Sequence, residues 1–287
     1  LSIKQAMFDM KNTGKVSQYD LFKKYQIDEK LHQKIFIYCK KKKIECFSTP
    51  AHPKDVDLLE KFDVNYHKIG SDDAINIPLL RYVAKTKKKI ILSTGMCDLK
   101  EIKNSVKTIL RFNKKLSLLH CVSDYPANKE EINLNAIISL KKQFPKLKIG
   151  FSDHTLGPLA SLCSVVMGAE IIEKHFTHDK KANGPDHMLS SDFKEMKWLV
   201  DSIRDFEKMG GNGKKIPTKA EKKNAKNNRK SIVVIKDILK GNKFNLENLG
   251  IKRPGSGLMP EKIYKILNKR SKSNLKYDDI IKWSDVK

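Results

Sequence analysis

His154 and His175 each stand directly after an apolar run, KIGFSD ending at Asp153 and AEIIEK ending at Lys174. A neutral imidazole offers a nitrogen lone pair to a divalent first-row cation. Two of them, with positions left open for water and substrate, would make a Lewis-acid site. Between the runs lies a helical stretch of small residues, so the segment reads as a βαβ unit. In parallel α/β folds ligands bind at the carboxyl ends of strands, which puts both tips at one pocket. Taken singly, either histidine is an ordinary core or surface residue; the case rests on the pair.

The other strand exits are polar and small as well: Ser48-Thr49-Pro50, Lys68-Ile69-Gly70-Ser71, Ser93-Thr94-Gly95, His120-Cys121-Val122-Ser123, Ser152-Asp153-His154 and Glu173-Lys174-His175. One such exit is an ordinary loop. A succession of them suggests hydroxyl and amide donors around a common centre, suited to a phosphate or carboxylate. Lys68 sharpens this, because an ammonium at a strand end is costly to bury without an anionic partner. Each serine alone would be a turn or helix-cap residue.

These tips need elements to carry them. Apolar residues at helical spacing predict one or two helices over 17–42 and further helices over 53–62, 77–87, 98–112, 134–144 and 193–209. Strands are predicted over 44–50, 65–71, 89–95, 116–126 and at the two apolar runs that precede the histidines. Strand and helix alternate, which argues for a parallel sheet. Six strands fit either an open doubly wound sheet or a (β/α)8 barrel whose first two strands lie upstream of Leu1. Residues 1–209 form this catalytic domain. Residues 210–228, rich in Gly, Lys and Asn with no apolar period, read as a linker. Residues 229–287, with short β pieces and Gly turns, read as a small second domain.

Composition narrows the class. The 287 residues carry a formal charge of +25, yet the positive residues are almost all Lys and are scattered along the chain. Groove readers use Arg bidentately and interleave aromatics, so nucleic acid is not the expected partner. An anionic substrate suits the field of such a surface. Five cysteines without a C-x-x-C pair read as reduced thiols of a soluble cytoplasmic protein. No apolar run approaches a membrane span.

The motifs KIGS (68–71), LSTGM (92–96), LHCVSDYP (119–126), GFSDHTLG (150–157), EKHFT (173–177) and GPDH (184–187) occur in the order found in the sialic acid synthase family, which this sequence resembles. RKSIVVIKDILKG and KRPGSG (252–257) are similar to that family's C-terminal antifreeze-like (SAF) domain. The resemblance implies a TIM-type (β/α)8 barrel lacking its first two strands in this chain, plus the β-rich SAF domain. A catalytic glutamate and a sugar-binding asparagine would lie on the missing part, so the chain, which opens on Leu, is expected to be a fragment. The family condenses phosphoenolpyruvate with an N-acyl hexosamine and releases phosphate.

The resemblance also implies roles. His154 and His175 bind Mn2+ or Mg2+, Lys68 holds phosphoenolpyruvate, and Ser71, Ser93 and Ser152 complete its cradle with Thr49 and Ser123. Asp73 lies near metal and sugar, and Tyr125 and Asp186 contact the sugar. Arg253 reaches the N-acyl group in a neighbouring subunit of a domain-exchanged homodimer. KIGSDD leans towards N-acetylneuraminate or legionaminate as product. The alternatives are pseudaminate synthesis, another phosphoenolpyruvate-dependent 2-keto-3-deoxy acid synthase, or a non-catalytic protein, either a basic binder or an inactive barrel.

Overall fold

The structure, a computed structural model, describes residues 7–10 and 14–287. The chain divides into two compact units, residues 1–210 and 211–287. The first described elements of unit one are β1 (Met7–Met10) and β2 (Gly14–Ser17), paired antiparallel in the register Met7↔Ser17 to Met10↔Gly14. The sequence reading did not anticipate them. Two helices follow, α1 (Gln18–Tyr25) and α2 (Glu29–Lys41). They are separate because Asp28 turns its carboxylate onto the Leu31 N–H at 2.8 Å and starts a new helix.

The barrel repeat then runs α3 (Pro53–Lys61), β3 (Tyr66–Ile69), α4 (Ile77–Lys85), β4 (Lys89–Ser93), α5 (Leu99–Leu110), β5 (Leu116–Cys121), α6 (Asn135–Gln143), β6 (Lys148–Asp153), α7 (Leu159–Val166), β7 (Ile172–Lys174) and α8 (Phe193–Met209). All five strands are parallel and hydrogen-bond in sequence order, β3-β4-β5-β6-β7. A doubly wound sheet reverses direction at a switch point, and this one does not. The strands are consecutive staves of a (β/α)8-type barrel.

One predicted strand is absent. Residues 44–50 make no ladder, and the Lys68 N–H reaches the Ser48 carbonyl only at a long 3.4 Å. Their side chains explain it: Ile44 is 63% exposed and Phe47 38%, so the run is not sandwiched as a stave must be. Pro50 has no N–H to give.

The core lies between sheet and helices. Ile69, Leu92, Leu118, Ile149 and Phe151 from the strands meet Leu80, Val83, Ile102, Ile109 and Ile137 from α4, α5 and α6. Helix starts are set by side chains: Asp98 with Glu101, and Asp192 with Glu195, each form a reciprocal capping box. Gly150 lets β6 and β7 close. A methyl there would run into the Ile171 carbonyl and lie 2.5 Å from Leu119 Cδ2 and 2.8 Å from Ile171 Cβ. No helix among the described residues is long and apolar enough to cross a membrane.

In unit two, β8 (Ser231–Val234) pairs antiparallel with β9 (Leu249–Lys252), over a core of Ile232, Val234, Ile238, Phe244, Leu249, Ile266 and Ile281, with α10 (Ile263–Ile266) alongside. Half of the predicted linker is not irregular. Residues Lys219–Asn228 form α9, begun by a Thr218–Glu221 capping box and tied by the Gly255 N–H to the Lys226 carbonyl at 2.8 Å. It buries no residue, so it has no apolar period to betray it.

Two stability predictions follow from this packing. Gly150→Ala should cost roughly 2–3 kcal/mol in urea unfolding, because backbone and β-carbon neighbours cannot yield as a side-chain tip can. Burial holds the His120 pKa below its ordinary 6.5, against the opposing hydrogen bond to the Ile132 carbonyl. Below about pH 6.5 the unfolded chain therefore takes up a proton that the folded chain refuses, and stability falls as pH drops. Unfolding of His120→Gln, followed from pH 7 to pH 5, should show a shallower loss. Part of the slope should remain, because burial depresses His67 too.

Candidate active site

The site is built from the tips of β3 to β7, where side chains alternate between faces. On β6, Ser152 and His154 share one face and Asp153 takes the other; on β7, Glu173 and His175 share a face opposite to Lys174. The pairing Ser152↔Glu173 and Asp153↔Lys174 brings like faces together.

At one end is an anion cradle. Lys68 Nζ, with 8% of its side chain exposed, donates to Ser93 Oγ at 2.8 Å and to the Ile69 carbonyl at 3.1 Å. It lies 3.4 Å from Glu173 Oε2, which also accepts from Ser152 Oγ at 2.6 Å. Thus Lys68 and Ser152, predicted from separate strands, meet on one carboxylate, and Ser93 joins them through Lys68. Ser71 joins from the next turn by accepting the Gly95 N–H at 2.9 Å. A β-carbon on Gly95 would strike Ser123 Oγ and lie 2.9 Å from Ser71 Oγ and 3.2 Å from Cys121 Sγ, so the glycine sits amid all three. Thr49 is exposed beside Gly70.

At the other end are the imidazoles. The His154 and His175 ring centroids are 5.4 Å apart at 68°, and Tyr125 packs at a tilt on His154, 4.1 Å away, and edge-on to His175, 5.8 Å away. His154 Nδ1 lies 2.7 Å from the Val122 carbonyl and must donate to it, which leaves Nε2 with the lone pair. His175 Nδ1 is 3.7 Å from Asp186 Oδ2. The donor chemistry therefore suits a divalent cation held by two neutral imidazoles. Among the described residues, no group of three or more His, Cys, Asp or Glu is arranged to hold a metal.

Titration follows the packing. Burial lowers the His175 pKa, with the Asp186 charge opposing. Burial raises Tyr125, helped by Cys121 and Asp186. Burial would raise Cys121, but its hydrogen bond and charge interaction with His154 outweigh that and bring the thiol below its usual range. The same contact, against burial, raises His154.

Two further predicted residues make contacts of their own. Asp73, its pKa raised by burial, accepts from Asn76 Nδ2 at 2.8 Å in the turn before α4. Its neighbour Asp72 is the one whose charge reaches Tyr125. Arg253 is exposed just after β9 in unit two. Glu173 and Cys121 are the members that residue-by-residue reasoning left without a role. The alternation of Glu173 with His175 was the available signal.

A match to the NeuB family model spans residues 2–215, and a SAF domain match spans 229–287. This chain belongs to the NeuB family. It is 41% identical over 283 residues to N,N'-diacetyllegionaminic acid synthase of Campylobacter jejuni, covering 97% of this chain and 84% of that protein. It is 36% identical over 270 residues to the pseudaminic acid synthase of the same organism, covering 93% and 78%. Among solved structures, an N-acetylneuraminic acid synthetase from Leptospira borgpetersenii in complex with citrate superposes with a TM-score of 0.68 at 36% identity, covering 71% of this chain and 72% of that one. The NeuB match also places the sheet among TIM barrels.

Glu173 occupies Lys68 and Ser152, so an anion bound there would have to displace it. Glu173→Gln should therefore tighten inorganic phosphate binding by roughly threefold to tenfold, and Lys68→Met should weaken it by at least tenfold. Calorimetric titration of the two variants reads both directions.

Proposed function

We propose that this NeuB-family chain acts in a sialic acid synthase-type transferase that condenses phosphoenolpyruvate with an N-acyl hexosamine to a nine-carbon 2-keto sugar acid. The observation that carries the reading is the Lys68–Ser93–Ser152 cradle together with the His154–His175 pair on neighbouring strand tips, with the Glu173 carboxylate that the cradle holds close enough for its charge to act on both imidazoles. Lys68, Ser93 and Ser152, with Ser71, Ser123 and Thr49 around them, hold the phosphate and carboxylate of phosphoenolpyruvate. Glu173 gives up its bonds to that ligand. His154 and His175 would hold Mn2+ or Mg2+, which when bound polarises the aldehyde carbonyl of the open-chain sugar.

Carbon 3 of the enol attacks the aldehyde carbon, whose oxygen becomes a hydroxyl. Water adds at carbon 2, the bond from carbon 2 to the phosphate oxygen breaks, and inorganic phosphate leaves with a 2-keto acid behind it. Tyr125 packs on the sugar and Asp186 accepts from its hydroxyls. Asp73, in its turn after β3, belongs to the same reading as a sugar-side carboxylate. The chain works in the cytoplasm as a homodimer, with the partner subunit's Arg253 on the N-acyl group. N-acetylneuraminate or legionaminate is the favoured product, supported by the 41% identity to the legionaminic acid synthase. Pseudaminate is the second reading, supported by the 36% relative.

The test is phosphate release from phosphoenolpyruvate, assayed with N-acetylmannosamine and with 2,4-diacetamido hexoses. Release should require both a sugar and a divalent ion, stop on chelation, and fall at least 100-fold in His154→Ala. Release that persists without metal or without sugar would overturn the proposal.

A further inference from the structure

On the face of β6 and β7 turned away from the histidines lies an ion pair that the chemistry above does not use. Lys174 Nζ is 3.1 Å from Asp153 Oδ2, and the two side chains are 2% and 0% exposed. Every other bond they make ties down the segment that carries His154. Asp153 Oδ1 accepts from both the Thr155 N–H and Thr155 Oγ1 at 2.8 Å. Asp153 Oδ2 accepts from Ser161 Oγ in α7 at 2.5 Å, and Lys174 Nζ also donates to the Thr155 carbonyl at 2.7 Å.

The placement is specific. Asp153 and Lys174 are the last residues of their strands and are register partners. His154 and His175 are the next residues in each chain, beyond the final pairing. β7 is only three residues long, and beyond it the His175 carbonyl takes the Ser191 N–H at 2.8 Å while no ladder bond ties His175 to β6, so the spacing across the β6–β7 edge is left to side chains. A buried ion pair is a poor source of net stability, because desolvation consumes its Coulomb gain. Fixing geometry is the use such a pair has.

We propose that Asp153 and Lys174 are a positioning pair that sets the separation of the two imidazoles across the β6–β7 edge. The inference rests on the reading of His154 and His175 as metal ligands. Second-layer partners of metal ligands are worth about tenfold to a hundredfold in affinity when removed.

The test uses Mn2+ titration of the full chain, read by the electron paramagnetic resonance of the free ion, beside thermal unfolding. The double variant Asp153→Leu, Lys174→Met replaces the pair by apolar side chains of similar size and is expected to fold. Its Mn2+ affinity should fall at least tenfold. Asp153→Asn, Lys174→Gln, which keeps donors and acceptors without charge, should stay within about threefold of wild type even if its unfolding temperature drops. An apolar variant that is folded and binds Mn2+ like wild type overturns the positioning pair alone, provided that His154→Ala loses binding. Wild-type protein that fails to bind Mn2+ overturns this proposal together with the metal reading beneath it.

Discussion

The site depends on one electrostatic constraint: a lysine ammonium at the end of a parallel strand, almost fully withdrawn from water. A charge so placed must be met by hydrogen bonds and an opposite charge. Lys68 finds Ser93 on the next strand and Glu173 on the last, so the span from β3 to β7 is drawn together by one cation. Glu173 serves as an internal anion, and the cradle is assembled before any ligand arrives. Preorganisation of that kind has a cost, since the carboxylate must give way to the ligand.

Parallel pairing makes this assembly possible. Each strand lies in sequence order beside its neighbour, so all carboxyl ends open on one side, and residues from distant parts of the chain meet without a long loop. The two-residue alternation then sorts roles. Inward positions hold Ser152, His154, Glu173 and His175, while outward positions hold Asp153 and Lys174. Chemistry and scaffold are interleaved residue by residue along the same two strands.

Much of this was legible. Residues 193–209 are legible as a helix to the residue because their apolar spacing is long, and the structure adds the Asp192–Glu195 capping box at its start. That Lys68, Ser93, Ser152, His154 and His175 lie at one end of the sheet is legible because parallel strands in sequence order end on the same side. What failed did so for physical reasons. Residues 44–50 look like a strand by composition, but exposure and Pro50 deny them a ladder. Helix α9 hides because nothing on it is buried, and its caps are the only clue. Asp73 and Asp72 are adjacent and chemically identical; only the turn geometry decides that Asn76 takes one and Tyr125 feels the other. Glu173 was seen as part of a tip, yet its bond to Ser152 depends on a register that spacing cannot supply.

Gly95 carries a last consequence. With Ser71, Ser123 and Cys121 all within reach of the β-carbon it lacks, an alanine there would have to displace three side-chain tips at once. Tyr125, by contrast, is 43% exposed and Asp186 is half-buried, so a changed side chain at either has solvent to extend into. In the proposed reading, the donor end is the crowded one and the sugar end the open one. A common scaffold can in this way diversify its acceptor while its energetic substrate stays the same.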